Sequence, residues 1–536
     1  MFEVSNQPPP LDPYNLFESD IVLREAVKRE GAGWANDELG ALGATLGKPE
    51  TVQLGFDANR YTPLLRTFDR YGHRIDEVDF HPAWHELLGI ALAAGLHSSP
   101  WAEPKPGAHV ARAAGTYMLG QIEAGVYCPI AMTYGSVPTL RQAPAVASGW
   151  LPKIFGRDYD KRFRPVRDKT SALIGMGMTE NQGGSDLRSN TTRAEPAGDG
   201  SFGLYGHKWF MSAPMCDAFL VLAQTAKGLS CFLMPRWTPD GERNAMHFLR
   251  LKDKLGNRSN ASSEAEFDGA YAHLIGEEGR GIPTIIEMGN YTRLDCAIGS
   301  SALMRQAVAQ AVHHARHRTA FQKKLIDQPL MSNVLADLAL ESEAATVLSL
   351  RLARAYDESD EVSAVLRRVL TPAAKFWICK RTPLVTQEAM EVLGGSGYIE
   401  DSIMPRLYRE APVNSIWEGA GNIMCLDVLR AIERTPNAAD VLRHELDAAG
   451  DARLKAFADR LHQGLRAADR NDEQQGRALV CDLVVALQAA LLAKHSPAAV
   501  ADAFSASRLA SEGGGAFGML PRGLDLRAIA ERAGAA

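Results

Sequence analysis

Between Ser171 and about residue 280 the chain gives up helical periodicity for short apolar runs broken by glycine, and this interruption constrains the fold most. Phe202 to Tyr205 runs into Gly206 and resumes at Trp209 to Met211. Phe219 to Leu222 and Cys231 to Met234 flank Lys227-Gly228, a hairpin-turn pair, and Glu264 to Phe267 reads as a further short strand. Helical text lies on both sides. Before the interruption, Trp84, Leu87, Leu88 and Ala91 recur at helical spacing, as does Ala111 to Ile122. After Gly281-Ile282-Pro283, Ala297, Ser301, Met304 and Val308 share one stripe, and Leu330, Val334, Leu338 and Leu348 another. Asp357 to Asp360 is a turn. A helix through Lys375 to Leu393 stops at Gly394-Gly395-Ser396-Gly397, and a last one covers Ile423 to Arg434, ahead of Pro436. Helices, then strands, then helices is not the alternating βα text of a doubly wound sheet. The expectation is an α+β chain, mostly α. It has an arm at 1–20, a helical domain at 21–170, a compact β domain at 171–282, a helical bundle at 283–436 and an alanine-rich, separate helical extension at 437–536.

Length and charge exclude several classes. A chain of 536 residues holds three or four domains at about 150 residues each. With 46% apolar and 23% charged residues it can bury a core, so it is not disordered, collagenous or disulfide-stapled, and a net charge of -6 excludes a uniformly basic nucleic-acid wrapper. The seven cysteines form no CxxC pair and suit a reducing, cytoplasmic setting. Pro8, Pro9, Pro10 and Pro13 forbid a helix in the arm, which is expected to be disordered or packed on a neighbouring subunit. Met1 to Asp20 has no basic or apolar region of a signal peptide, and Val484 to Ala493, the longest apolar run, is too short to span a bilayer, so no membrane role is expected.

Some motifs carry little. His81 and His85 are four apart but have no third ligand nearby, so structural histidines are the better reading. His313, His314 and His317 lie among arginines and read as a solvated cationic face. Gly175-Met176-Gly177 and Gly395-Ser396-Gly397 are not GxGxxG, and no Walker A sequence occurs.

Three segments carry more. Ile174 to Asp186 runs an apolar strand into a loop with hydroxyls and adjacent glycines (Met178, Thr179, Gly183, Gly184, Ser185), able to bring backbone N–H groups close to a planar ring or a phosphate, or simply a turn. Gly206 to Ser212 sets aromatics beside a hydroxyl, a wall for a ring system or a core strand. Val413 to Ile423 places Glu418 between Trp417 and Gly419 just before an apolar helix. Two readings stand for it: a carboxylate whose apolar surroundings suit it to be a general base, or an exposed glutamate favoured by the helix dipole.

Together these residues resemble the acyl-CoA dehydrogenases. M-T-E-x-x-x-G-S-D at 178–186, G-x-K-x-x-x-S at 206–212, R-T-A-F at 318–321, L-G-G-S-G-Y at 393–398 and W-E-G at 417–419 follow in family order, over about residues 80 to 435. The segment 250–261, the proline-rich start and the run through N-S-I-W-E-G-A-G-N are similar to the AidB, alkylation-response branch. The resemblance implies a helical domain, a middle β-barrel and a C-terminal four-helix bundle, with the extra helical extension. It implies FAD held by Met176, Met178, Thr179, Gly184, Ser185, Phe210, Met211, Ser212, Ile416, Trp417 and Asn422. Arg318, Phe321 and Gln328 would reach the FAD of a neighbouring subunit in a homo-oligomer, a tetramer built as a dimer of dimers. Glu418 would be the catalytic base on an acyl-CoA, with Arg293 and Asp295 at the substrate end.

Departures from the family pattern bear on activity. Trp417 replaces a smaller aromatic, Ala420 a threonine, Glu391 a glutamine, and Asp295 adds an acid. A bulky ring and an extra charge imply a tight pocket and weak turnover of short or branched acyl-CoA. The branch also implies duplex DNA binding by the extension. Its 12 Lys and Arg against 13 Asp and Glu leave it without a net basic charge, but Arg453, Arg460, Arg466, Arg470 and Arg477 could align as a stripe. The alternative function is therefore a DNA-binding protective or scaffolding protein whose FAD is structural. No metal site is expected.

Overall fold

The structure, a computed structural model, describes residues 3–447, 450–467, 473–510 and 516–535. In chain order the elements that matter here begin with β1 (Leu64–Phe68), β2 (Arg74–Asp79), α1 (Pro82–Ala93), α2 (Ala108–Ile122) and α3 (Tyr127–Leu140). Strands β3 (Ile174–Gly177), β4 (Arg193–Pro196), β5 (Phe202–Ser212), β6 (Ala218–Thr225), β7 (Gly228–Pro235), β8 (Met246–Leu251) and β9 (Ser262–Ile275) follow. Then come the helices α4 (Gly281–His317), α5 (Pro329–Asp357), α6 (Glu361–Val392), α7 (Gly421–Arg434), α8 (Ala452–Ala467) and α9 (Gly476–His495). The chain divides into two compact units: a β-rich one of Glu50–Pro104 and Ile122–Thr292, and a helical one of Met1–Pro49, Lys105–Gln121 and Arg293–Ala536.

In the β-rich unit the strands run β3-β6-β4-β5-β9-β7, β8 adds to β9, and a β6–β7 pairing closes the path into the expected barrel. Closure leaves few strand edges open. The first six residues of β6 are buried on both faces, as suits a strand with a parallel neighbour. That neighbour, β3, carries Gly175 for a packing reason: a Cβ there would lie 2.5 Å from the Phe219 ring. The β6–β7 hairpin turns at Ala226-Lys227, one residue before the expected Lys227-Gly228, because Gly228, at φ +112°, already pairs with Thr225. Phe202 to Met211 is one strand, not two. Gly206, at φ +145°, lies where a Cβ would be 2.7 Å from Thr192, and two register shifts absorb the irregularity. β9 is far longer than the expected four residues because its polar start is buried with partners: Glu264 accepts Arg250 and Lys252. The hairpin β1–β2 escapes an apolar-pattern reading altogether. Its cross-strand contacts are ionic, Arg66 to Glu77 at 3.2 Å and to Asp79 at 2.6 Å.

In the helical unit α4 to α7 form the bundle. α7 buries Met424, Cys425, Val428, Leu429, Ala431 and Ile432, an i, i+3, i+4 stripe. The described residues of the arm pack on their own chain. Tyr14 and Leu16 donate backbone N–H groups to Gly47 and Gly43, and Leu16 and Phe17 are buried. A Cβ at Gly47 would lie 1.6 Å from the Tyr14 carbonyl, so glycine is required there. On the histidine face His317 is exposed, while His313 and His314 are half-buried and the His313 Nε2 meets the Pro9 carbonyl at 2.8 Å. The extension does not stand apart, since α9 packs on α5, α6 and α8. Residues 473–495 are long and apolar enough to cross a membrane by composition, unlike the shorter run read from sequence, but 67% of the apolar window is buried inside the protein, so its apolarity serves this packing. The seven cysteines are free thiols, six of them buried.

Candidate active site

In the β-rich unit, the chain leaves β3 through Met178 and Thr179, whose carbonyls accept Asn190 Nδ2 and the Trp209 N–H, both at 2.9 Å. The loop then folds back on itself. A Cβ on Gly184 would lie 2.6 Å from Thr179 Oγ1, which explains the glycine, while Gly184 and Ser185 stay exposed. The next residue of the M-T-E motif, Glu180, is buried and anchors the loop. Its carboxylate meets Lys208 Nζ at 2.7 Å and accepts the Thr191 N–H, the Thr191 hydroxyl and the Thr192 N–H. Desolvation pushes the Glu180 carboxyl up, but Lys208 and these donors win, and it falls to about 2. At Lys208 desolvation outweighs the Glu180 charge and holds the ammonium down to about 8. This pair ties the loop to β5. Sequence reading quoted both residues within motifs and assigned neither a role; one acid and one base at fixed motif positions were the available signal.

The end of β5 separates its side chains by strand alternation. Phe210 is 47% exposed, with the Lys252 ammonium 4.7 Å from its ring centre. Ser212 Oγ meets Ser262 Oγ at 3.0 Å. Met176 is half-buried at the end of β3. Met211 does not reach a ligand surface. It is fully buried in the barrel, where a Cβ on Gly177 would lie 3.0 Å from its Cγ.

In the helical unit, Trp417-Glu418-Gly419 is a strained turn: Glu418 has φ +58° and Gly419 φ +105°. Two buried cations hold it through three successive carbonyls. Lys375, on α6, donates to the Trp417 carbonyl at 2.7 Å and to that of Gly419. Arg293, on α4, donates from Nε to the Glu418 carbonyl at 3.0 Å and pairs with Asp427, which also takes Arg368. Trp417 Nε1 donates to Asn414, whose side chain reaches Ser300. Glu418 is half-buried, neither fully solvated nor enclosed. Lys375 was missed because a lysine inside an apolar helix looks like an ordinary surface residue until its burial is known.

The two proposed substrate contacts change role. Arg293 is committed to the Glu418 carbonyl and Asp427, so it positions the turn. Asp295 is buried and forms a two-pronged ion pair with Arg112 on α2, so it brings no free negative charge to a pocket. Ile416 is 65% exposed, and Asn422, at the start of α7, receives Arg477 at 3.2 Å. The tip that carries Phe321 is also unusual. Phe321 is 92% exposed at φ +50°, Gln328 donates to the Ala320 carbonyl at 2.9 Å, and Arg318 holds the Asn6 carbonyl.

The arginine stripe is not a free basic surface. Arg453 is paired with Asp451 and Asp502, and Arg466 with Asp440. Arg460 lies over Phe457, and Arg477, on α9, reaches Asn422 and the Phe376 ring. Arg470 lies outside the described residues. No group of three metal-ligating side chains occurs among the described residues; His81 caps α1 and His85 Nδ1 meets the Tyr159 hydroxyl at 2.8 Å.

The barrel, bundle and Glu418 turn define a class. The chain belongs to the acyl-CoA dehydrogenase family of oxidoreductases, whose members depend on FAD. Residues 6–161 match the adaptive response protein AidB N-terminal domain, 175–270 the acyl-CoA dehydrogenase middle domain and 279–433 its C-terminal domain. Within the family, it is 50% identical to the putative acyl-CoA dehydrogenase AidB of Escherichia coli (strain K12), over 95% of both chains. It is 30% identical to acyl-CoA dehydrogenase family member 11 of Caenorhabditis elegans, over 79% of this chain and 69% of that one. The crystal structure of Caenorhabditis elegans ACDH-11 in complex with C11-CoA superposes with a TM-score of 0.84 at 27% identity, covering 94% of this chain and 91% of that one.

Proposed function

We propose that the chain is an FAD-containing, AidB-like acyl-CoA dehydrogenase homologue in which Glu418 removes the α-proton of an acyl thioester. The single observation that carries this reading is the Glu418 turn, a strained backbone fixed by Lys375 and Arg293 around one carboxylate. FAD, when bound, supplies the acceptor for the β-hydride. The residues present fit it: the folded-back loop offers backbone and hydroxyl groups at Thr179 and Ser185, Phe210 offers an open aromatic face, and Ser212 a hydroxyl. Glu180 and Lys208 hold that loop rigid. On the helical unit, the chain's contribution to the reaction is a carboxylate whose backbone cannot relax, so its orientation is set before substrate arrives.

The substrate class is a short or branched acyl-CoA turned over slowly, with bulky Trp417 limiting space. A larger thioester is also compatible with the ligand of the ACDH-11 structure, C11-CoA. The exposed, left-handed Phe321 tip supports a homo-oligomer, a tetramer in this reading. The role is in the cytoplasmic response to DNA alkylation, supported by the match to an adaptive-response domain. DNA binding with a merely structural FAD gains nothing from the extension, whose Arg453 and Arg466 already have acidic partners. Anaerobic titration with isovaleryl-CoA tests the proposal. Bleaching of the flavin band in the native protein, absent in Glu418→Gln, is expected. Protein purified gently without a yellow chromophore, or equal bleaching in the variant, overturns it.

A further inference from the structure

The segment 250–261, singled out in the sequence, connects two paired strands: β8 ends at Leu251 and β9 begins at Ser262. The Lys252 N–H donates to the Ser262 carbonyl at 2.8 Å and closes the loop at its base. Within the loop Asn257 takes a left-handed φ of +52°, which asparagine tolerates. Ser259 Oγ donates to the buried Glu123 carboxylate at 2.7 Å, which ties the tip down. The Asn260 carbonyl then receives Lys254 Nζ. The same ammonium donates to Ser262 Oγ at 3.1 Å, and Ser262 Oγ lies 3.0 Å from Ser212 Oγ. Lysine, serine and serine form one chain that runs from the loop through β9 to the end of β5.

Elementary hydrogen-bond chemistry gives this chain a direction. An ammonium has three protons and no lone pair, so Lys254 only donates. Ser262 is buried, and its hydroxyl has two partners among the described residues, Lys254 and Ser212. It accepts from Lys254. Its single proton goes to Ser212 Oγ, because the reverse order would leave that proton buried without an acceptor, which buried hydroxyls avoid. Ser212 accepts in turn, and its own proton has no acceptor among the described residues. Ser212 is half-buried, so that proton is available to a ligand on the open side of β5.

We propose that Lys254 is a positioning residue of the flavin site: it sets the order of the Ser262 and Ser212 hydroxyls, so that Ser212 meets the bound cofactor as a donor. This role rests on the FAD-containing reading and deepens it. A fixed donor aimed at a ring that takes up electrons favours the electron-rich form, and a positive charge behind two hydroxyls polarises the chain in that sense. Lys252 plays a different part. Its ammonium is answered by Glu264 and lies over the Trp209 and Phe210 rings, outside the chain.

The reduction potential of the full-length, FAD-loaded protein, measured without thioester by equilibration with a redox dye, tests this. Lys254→Met should lower the equilibrium constant for flavin reduction about tenfold, which is about 30 mV for a two-electron couple. Ser262→Ala removes one oxygen and should lower it by a similar factor, so the test stands on this variant if Lys254→Met does not hold the cofactor. In the double variant the second change should add about twofold or less, because the chain is already broken. An unchanged potential in either single variant overturns the assignment. So does a full, additive fall in the double variant, which would mean that the lysine charge acts through space. Such a result in a yellow protein whose bleaching still needs Glu418 sinks the role of Lys254 alone, whereas a colourless protein sinks the FAD reading and this role with it.

Discussion

At the scale of single residues, the catalytic proposal depends on side chains that never touch substrate. Lys375→Met would strip two half-buried carbonyls of their donor, at a cost of up to about 1–3 kcal/mol each, and would free the turn to leave its left-handed conformation. A displacement of a reacting group by about 1 Å can cost on the order of 100-fold in rate. Stopped-flow flavin reduction should therefore slow by about 10- to 100-fold, while the thioester concentration for half-saturation changes little. Equal losses in both would indicate general unfolding. Glu180 gives a pH prediction. Its carboxyl is lowered from the usual 4.5 to about 2, so its contribution is complete above pH 4.5 and is lost as pH falls through 2. A depression of that size is worth about 3 kcal/mol. Thermal melts between pH 5 and 3 should drop more steeply for the native chain than for Glu180→Gln.

At the scale of elements, the strands and helices with an apolar period were legible from sequence, and those built on charge were not. β6, β7 and α7 announce themselves through Phe219 to Leu222, Cys231 to Met234 and the stripe from Met424 to Ile432. β1 and β2 do not, because Arg66, Glu77 and Asp79 pair across strands instead of facing a core. The motif glycines were visible, but their purpose was hidden in contacts distant along the chain. Gly175 is small to admit Phe219, and Gly184 to admit Thr179. Gly175→Ala should destabilise by about 1–3 kcal/mol through overpacking, and Phe219→Leu should recover part of that loss in the double variant, as measured by denaturant midpoints. For the candidate site, the motifs marked the Glu418 turn and the loop at 178–185, and the structure shows how each is held. The partners of Arg293 and Asp295 were not, since burial decides whether a charge faces a substrate or a counter-ion.

At the scale of the whole molecule, the extension is part of the core of the helical unit. α9 buries Val480, Leu483, Val484, Leu487 and Leu491 against neighbours that include α5 and α6. Ending the chain at residue 436 should therefore yield protein that binds ANS and precipitates, not a trimmed dehydrogenase; a soluble, yellow, cooperatively melting product would show the extension to be independent. The same integration argues against a detachable DNA-binding tail.

Arg305 carries one last implication. Its guanidinium grips Asp20 at 3.0 Å and also holds the backbone carbonyls of Ser19 and Ala533. Residues made more than five hundred positions apart thus share one buried fastener. A ribosome adds about 5–20 residues per second, so the first-made segment waits roughly half a minute or more before its clasp can close. During that interval Leu16 and Phe17 can already pack on Gly43 and Gly47, but the join between the two ends of the chain stays open until synthesis is nearly over.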